Sequence, residues 1–125
     1  MKFRIKIKEF KDGKKTYVIE KKWLRLFWKE IPLRRLVRGD LMVVGPASFL
    51  SLTLAEDILK KYGEISKKRQ YRGYRIYPFI SSITKTVRIY CPNLFYHRTF
   101  ENFSELDKEI DSISIFKINH KEYTI

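Results

Sequence analysis

Residues 3–8 alternate without a break: Phe3, Ile5 and Ile7 fall on one side, Arg4, Lys6 and Lys8 on the other. A period of two marks a half-buried strand, so this strand has one apolar and one basic face. Lys11-Asp12-Gly13-Lys14 follows, and Asp-Gly supplies the positive φ of a tight hairpin turn. The chain is expected to return as a strand from Lys15 through Glu20. Trp23 to Trp28 fits two periods. Trp23, Leu26, Phe27 and Glu30 stand at helical spacing, but the aromatic and β-branched residues around them favour a strand. Strand is the better assignment, followed by a third strand ending at Pro32. Leu33 to Arg38 reads as a basic loop or short element closed by Gly39-Asp40. Leu41 to Val44 reads as a short buried strand before the Gly45-Pro46 break.

A helix is expected next. Thr53 stands as its cap with Glu56 three residues on, the reciprocal pattern that satisfies two free N–H groups. Leu54, Ala55, Ile58, Leu59 and Tyr62 form one apolar stripe, and Gly63 sits where a left-handed C-cap is wanted. Residues 65–72 form a polar, basic connector. Arg75 to Ile80 reads as a strand that Pro78 pushes to a sheet edge. Thr86 to Cys91 is a second strand, and Leu94 to Phe100 a third. Ser104 caps a short helix with Leu106, Ile110 and Ile113 on one face, and residues 115–125 close the chain as a strand.

The pattern gives an α+β fold, an antiparallel sheet with two short helices, in a single domain over residues 1–125. Both halves, 1–63 and 64–125, run strands first and then an acidic helix. Two diverged copies of a strand–strand–helix unit would give that order, and so would an ordinary α+β chain.

Charge follows the same blocks. Residues 1–38 carry 14 basic and 4 acidic side chains, and residues 67–98 carry 8 basic and none acidic. The intervening and final blocks are net acidic, within a total of +13. Cations are therefore concentrated where strands are expected, which points to a basic sheet surface and an anionic partner. The single Cys91 excludes an internal disulfide and fits a reducing compartment. The charged N-terminal strand leaves no room for a signal peptide, and the longest uncharged run, Leu41 to Ala55, is too short for a membrane span. A soluble, cytoplasmic protein is expected.

Thr16-Tyr-Val-Ile-Glu-Lys-Lys-Trp23, then Phe27-Trp28, then Thr53-Leu-Ala-Glu-Asp-Ile58, resembles small uncharacterised bacteriophage proteins. These have an aromatic, basic β-hairpin followed by a capped helix. The resemblance covers residues 3–62, and the Pro32–Leu52 insertion departs from it. It implies a phage-encoded accessory protein, placed in the host cytoplasm or the virion, and no particular activity.

Candidate chemistry is sparse. Cys91, His97 and His120 lack any spacing that would hold a metal, and no glycine-rich phosphate loop is present. Cys91 and His97 would serve as nucleophile and base only if the Pro92-Asn93 turn brought them together, and a small core cysteine is the commoner role. Glu105, Asp107, Glu109 and Asp111 spread around a solvated helix surface. No enzyme, cofactor or metal site is expected.

The remaining signal is aromatic residues among cations: 13 of the 19 aromatics fall in the two basic blocks. Arg4, Lys6 and Lys8 on the sheet face, with Arg69, Tyr71, Arg72, Tyr74 and Arg75 around Gly73, form the candidate nucleic-acid-binding set. Arginine pairs phosphate in a bidentate manner and tyrosine stacks on unpaired bases, which favours a single strand. The competing role for these rings is burial in the core. The alternative partner is an acidic protein, which an apolar patch of Trp23, Leu26 and Trp28 would favour.

Overall fold

The computed structural model describes residues 2–123, and the side chains of residues 2–113. Strands β1 (Phe3–Glu9) and β2 (Lys15–Trp23) form the expected hairpin, in a register that runs from Phe3↔Lys21 to Glu9↔Lys15. That register sets Phe3, Ile5 and Ile7 beside Lys21, Ile19 and Tyr17 on one face. Arg4, Lys6 and Lys8 stand beside Glu20, Val18 and Thr16 on the other. A turn at residues 24–26 leads into β3 (Phe27–Glu30), antiparallel to β2. Of the 23–28 segment expected as strand, only residues 23, 27 and 28 are strand, because residues 24–26 form the turn that reverses the chain.

The Ile31 N–H still bonds the Ile19 carbonyl at 2.9 Å. Pro32 has no N–H to continue the ladder, and there the chain leaves the sheet. Residues 33–38, expected as a loop or short element, belong to a full strand, β4 (Pro32–Val37), paired with β5 (Asp40–Pro46) through an Arg38-Gly39 turn. β6 (Ser48–Phe49) then rejoins β2 at Tyr17 and Val18. β3 and β6 share one edge of β2, and the β4–β5 hairpin is an excursion between them.

Helix α1 (Leu52–Ser66) is capped by Ser51, whose hydroxyl accepts from the Leu54 N–H at 3.3 Å, so Thr53 lies within the first turn. Gly63 is also inside the helix and does not terminate it. The buried Ile65 carries the helix one turn further, and the Lys67 N–H bonds the Gly63 carbonyl. The expected connector is therefore partly helix and partly a small hairpin of β7 (Gln70–Tyr71) and β8 (Tyr74–Arg75).

β9 (Tyr77–Ser81) and β10 (Val87–Tyr90) pair antiparallel, and β9 runs parallel to β4 at Leu33↔Ile80 and Arg34↔Ser81. The second sheet has the order β10-β9-β4-β5, so strands from both halves of the sequence build one sheet. β9 is internal to it, contrary to the expectation from Pro78. The parallel pairing begins only at Ile80, so Pro78 faces an open side where no N–H is required.

Residues 94–100 are not a strand; only the Ile89↔Phe100 bridge touches the sheet. Helix α2 (Phe103–Tyr123) starts after Asn102, whose side chain accepts from the Glu105 N–H. It runs through most of the expected closing strand, while residues 124 and 125 lie outside the described residues. The core joins Ile19, Phe49, Ile58, Ile80, Ile89, Phe100 and Leu106, contributed by both sheets and both helices. Mostly antiparallel sheets with two helices make this an α+β fold.

Candidate anion-binding cleft

Where α1 ends, the two sheets part. The gap is an open cleft of about 560 Å³, walled by β2, β4, the end of α1 and the β8–β9 segment. Lys21, Arg34, Lys68, Arg69 and Arg75 line it, together with Tyr62, Tyr77 and Ser66, and no carboxylate does. Among the described residues none of these five cations is ion-paired. Arg34 is held by donating to the Leu41 carbonyl at 3.3 Å, and Arg75 reaches the Tyr77 hydroxyl at 3.5 Å. The Lys68 ammonium lies 4.8 Å from the Phe103 ring centroid. A smaller cleft of about 180 Å³ continues past Tyr62 and Arg34 to Lys29, Trp23 and Glu30, whose carboxylate is paired with Lys8. The carbonyl end of α1 contributes only about half a negative charge to this region. Five full positive charges outweigh it.

Burial pushes the Tyr62 phenol up, and the neighbouring Arg34 guanidinium offsets part of that rise. The Tyr62 ring meets Phe3 edge-on at 5.8 Å, which fixes it at the wall of the cleft. The aromatic and cationic groups thus come from separated stretches of sequence and converge only in the fold.

The sequence-derived candidates divide between this cleft and other tasks. Arg69 and Arg75 line the cleft. Tyr71 and Arg72 turn away from it toward α2. The Tyr71 hydroxyl donates to Asp107 at 2.8 Å and its ring stacks on Phe103 at 4.5 Å. Arg72 pairs with Asp107 at 3.3 Å and Asp111 at 2.8 Å. Hydrogen bonding to Asp107, more than burial, pushes the Tyr71 phenol up. Tyr74 packs against the core. Arg72 and Gly73 are both left-handed, with φ of 51° and 85°, so the expected display loop is a tight two-residue turn.

Arg4, Lys6 and Lys8 do share one sheet face, but acids share it too. Arg4 Nε bonds Glu20 at 2.8 Å, and the Arg4 guanidinium covers the Trp28 ring at 4.1 Å. Lys8 bonds Glu30 at 2.8 Å. In this register Lys8 is opposite Thr16 and Glu30 opposite Glu20, so the ion pair crosses the row of Val18. Val18, in that row, is buried. Lys6 alone of the three has no carboxylate partner among the described residues.

Reading the sequence missed Lys21, Arg34, Lys68 and Tyr62. Lys21 carried a signal: it interrupts the apolar face to which Phe3, Ile5 and Ile19 belong. Cys91 is wholly buried, and desolvation pushes its thiol up, while His97 is exposed beside the Tyr96 ring. Among the described residues no His, Cys, Asp or Glu cluster could hold a metal, and no helix is long and apolar enough to cross a membrane. Trp23 and Leu26 are exposed, whereas Trp28 lies under Arg4. No protein-family model matches the chain, and no curated protein or solved structure matches it either.

Proposed function

We propose that the chain is a non-enzymatic nucleic-acid-binding protein that takes a single strand into the cleft between its two sheets. One observation carries this: five cations around a concave surface with no carboxylate among them. Lys21, Arg34, Arg69 and Arg75 are the phosphate-contacting residues, and Tyr62 and Tyr77 offer ring faces at the wall. A cleft in the range of roughly 300–1,000 Å³ encloses a ligand of small-molecule size. It suits an unpaired nucleotide and not a duplex. An acidic protein is the weaker partner, because a stable protein interface takes roughly 800 Å² from each side, more than this cleft presents. A phage-encoded accessory role fits such an activity.

The test is titration of a fluorescent single-stranded oligonucleotide at several salt concentrations. With about four phosphates neutralised, log K should fall against log salt with a slope near −3. Duplex of the same length should bind more weakly. Absence of binding at low salt, or a flat salt response, removes the proposal.

A further inference from the structure

The β2–β3 hairpin ends in a cluster of large apolar side chains that the fold leaves outside. Trp23 is 52% exposed, Leu24 70%, Leu26 76% and Phe27 61%. Leu24 and Arg25 hold φ of 51° and 61°, a left-handed pair closed by the Leu26 N–H on the Trp23 carbonyl at 3.1 Å. Such a turn is the natural place for Asn-Gly, and leucine is strained there. The strained residue is also an exposed hydrophobe, so its placement serves neither the turn nor the core. Lys22, Arg25 and Lys29 surround the cluster, while the nearby Glu20 and Glu30 are occupied by Arg4 and Lys8.

We infer that this tip is a shallow anchor for a bilayer surface carrying anionic lipid. Leu24 and Leu26 enter the outer acyl region, and Trp23 and Phe27 sit at headgroup level, where aromatic rings are favoured. The surrounding cations meet lipid phosphates and carboxylates, each adding roughly fivefold to partitioning. A hairpin end has unpaired peptide groups, so insertion stops at the interface. A second copy of the chain is a poorer occupant. Four partly exposed side chains on a convex ribbon end fall short of the roughly 800 Å² that each partner of a stable dimer contributes.

Trp23 and Lys29 border the smaller part of the cleft, but Leu24 and Leu26 lie in neither part, so substitutions at these two leucines separate the inference from the nucleic-acid proposal. Trp28→Phe leaves Trp23 as the sole tryptophan. In that background, vesicles of phosphatidylcholine with about one-third phosphatidylserine should shift Trp23 emission to the blue and sediment the protein, while pure phosphatidylcholine should do so weakly. Leu24→Asn and Leu26→Thr should each lower partitioning about tenfold. Oligonucleotide binding should not change in either. Leu24→Asn suits a left-handed turn, so loss of folding will not confuse the result. Unshifted Trp23 emission overturns the inference, as does vesicle binding that survives both substitutions. Binding lost instead in Arg69→Ala would place the lipid headgroup in the cleft and also overturn it. So would a dimer in solution that Leu26→Thr dissociates.

Discussion

Arg72 Nη2 stands 2.8 Å from Asp111 Oδ1, across 39 residues of sequence, and the same guanidinium reaches Asp107 at 3.3 Å. With the Tyr71 hydroxyl on Asp107, these contacts clasp the small β7–β8 hairpin to the first turns of α2. The net-basic and net-acidic blocks of the sequence meet here within the molecule. Arg72→Ala is expected to destabilise the fold only slightly, since the pairs are part-exposed and screened by solvent. Tyr71→Phe should lower stability slightly through the lost hydrogen bond. Both should leave oligonucleotide affinity near wild type. Urea denaturation and fluorescence titration on the two variants decide it; a large affinity loss in stable Arg72→Ala would return the hairpin to the binding surface.

Gly63 is a weakness in α1 that has no backbone reason to remain. It lies in the helix interior without a positive φ, and an added Cβ would meet only Phe3 Cε2, at 3.9 Å. That is ordinary van der Waals contact. Gly63→Ala should therefore stabilise the protein by about 0.5–1 kcal/mol, by restricting the unfolded chain and adding helix propensity. Thermal denaturation measures it, and a lower midpoint would show that the Phe3–Tyr62 edge contact cannot yield even slightly.

The β1–β2 hairpin was legible because alternation and Asp-Gly are local signals that tertiary structure did not override. The helix ends were not. Ser51 and Thr53 are both competent caps two residues apart, and only the packing of Ala55 and Ile58 decides between them. Gly63 suggested a helix end, but burial of Ile65 outweighs the glycine's cost of about 1 kcal/mol. The cleft was illegible for a different reason. Lys21, Arg34 and Arg69 are far apart in sequence, and although Pro32 marks a strand end, nothing local shows that the next strand joins a second sheet. Charge blocks identify where cations are abundant; they do not show which cations acids will neutralise.

Tyr62 gives a pH signature. Burial raises its phenol pKa above the ordinary value of 10.0, so the folded chain holds a proton that the unfolded chain releases. Its contribution is complete below pH 10 and is lost as pH rises through the folded pKa. Stability should fall as pH rises above about 10, less steeply in Tyr62→Phe. Tyr71 and Tyr90 are also raised, so the slope should be reduced and not abolished. Urea midpoints across that range test this; parallel pH profiles would assign the alkaline loss to other groups.

Cys91 should be chemically silent in the native state. Its side chain is fully buried, and desolvation keeps it a thiol rather than a reactive thiolate. A chromogenic disulfide reagent should label it only at the rate of unfolding, and Cys91→Ser should leave oligonucleotide affinity unchanged. Rapid native labelling would mean that the core around Phe95 and Phe100 opens readily.

The salt response separates the cleft from the basic sheet face. If Arg34, Arg69 and Arg75 each meet a phosphate, alanine at any one should flatten the slope of log K against log salt by roughly 0.7 on a single strand. Lys6→Ala should change neither slope nor affinity appreciably, although it removes the same charge from the protein. Arg4→Ala should cost stability instead, about 1–3 kcal/mol, because Glu20 is 5% exposed and would be left buried without its partner. Net charge alone predicts the same small affinity loss for Lys6, Arg34 and Arg69. Equal slopes in all three variants would therefore mean that the protein binds through diffuse charge and that the cleft has no special part.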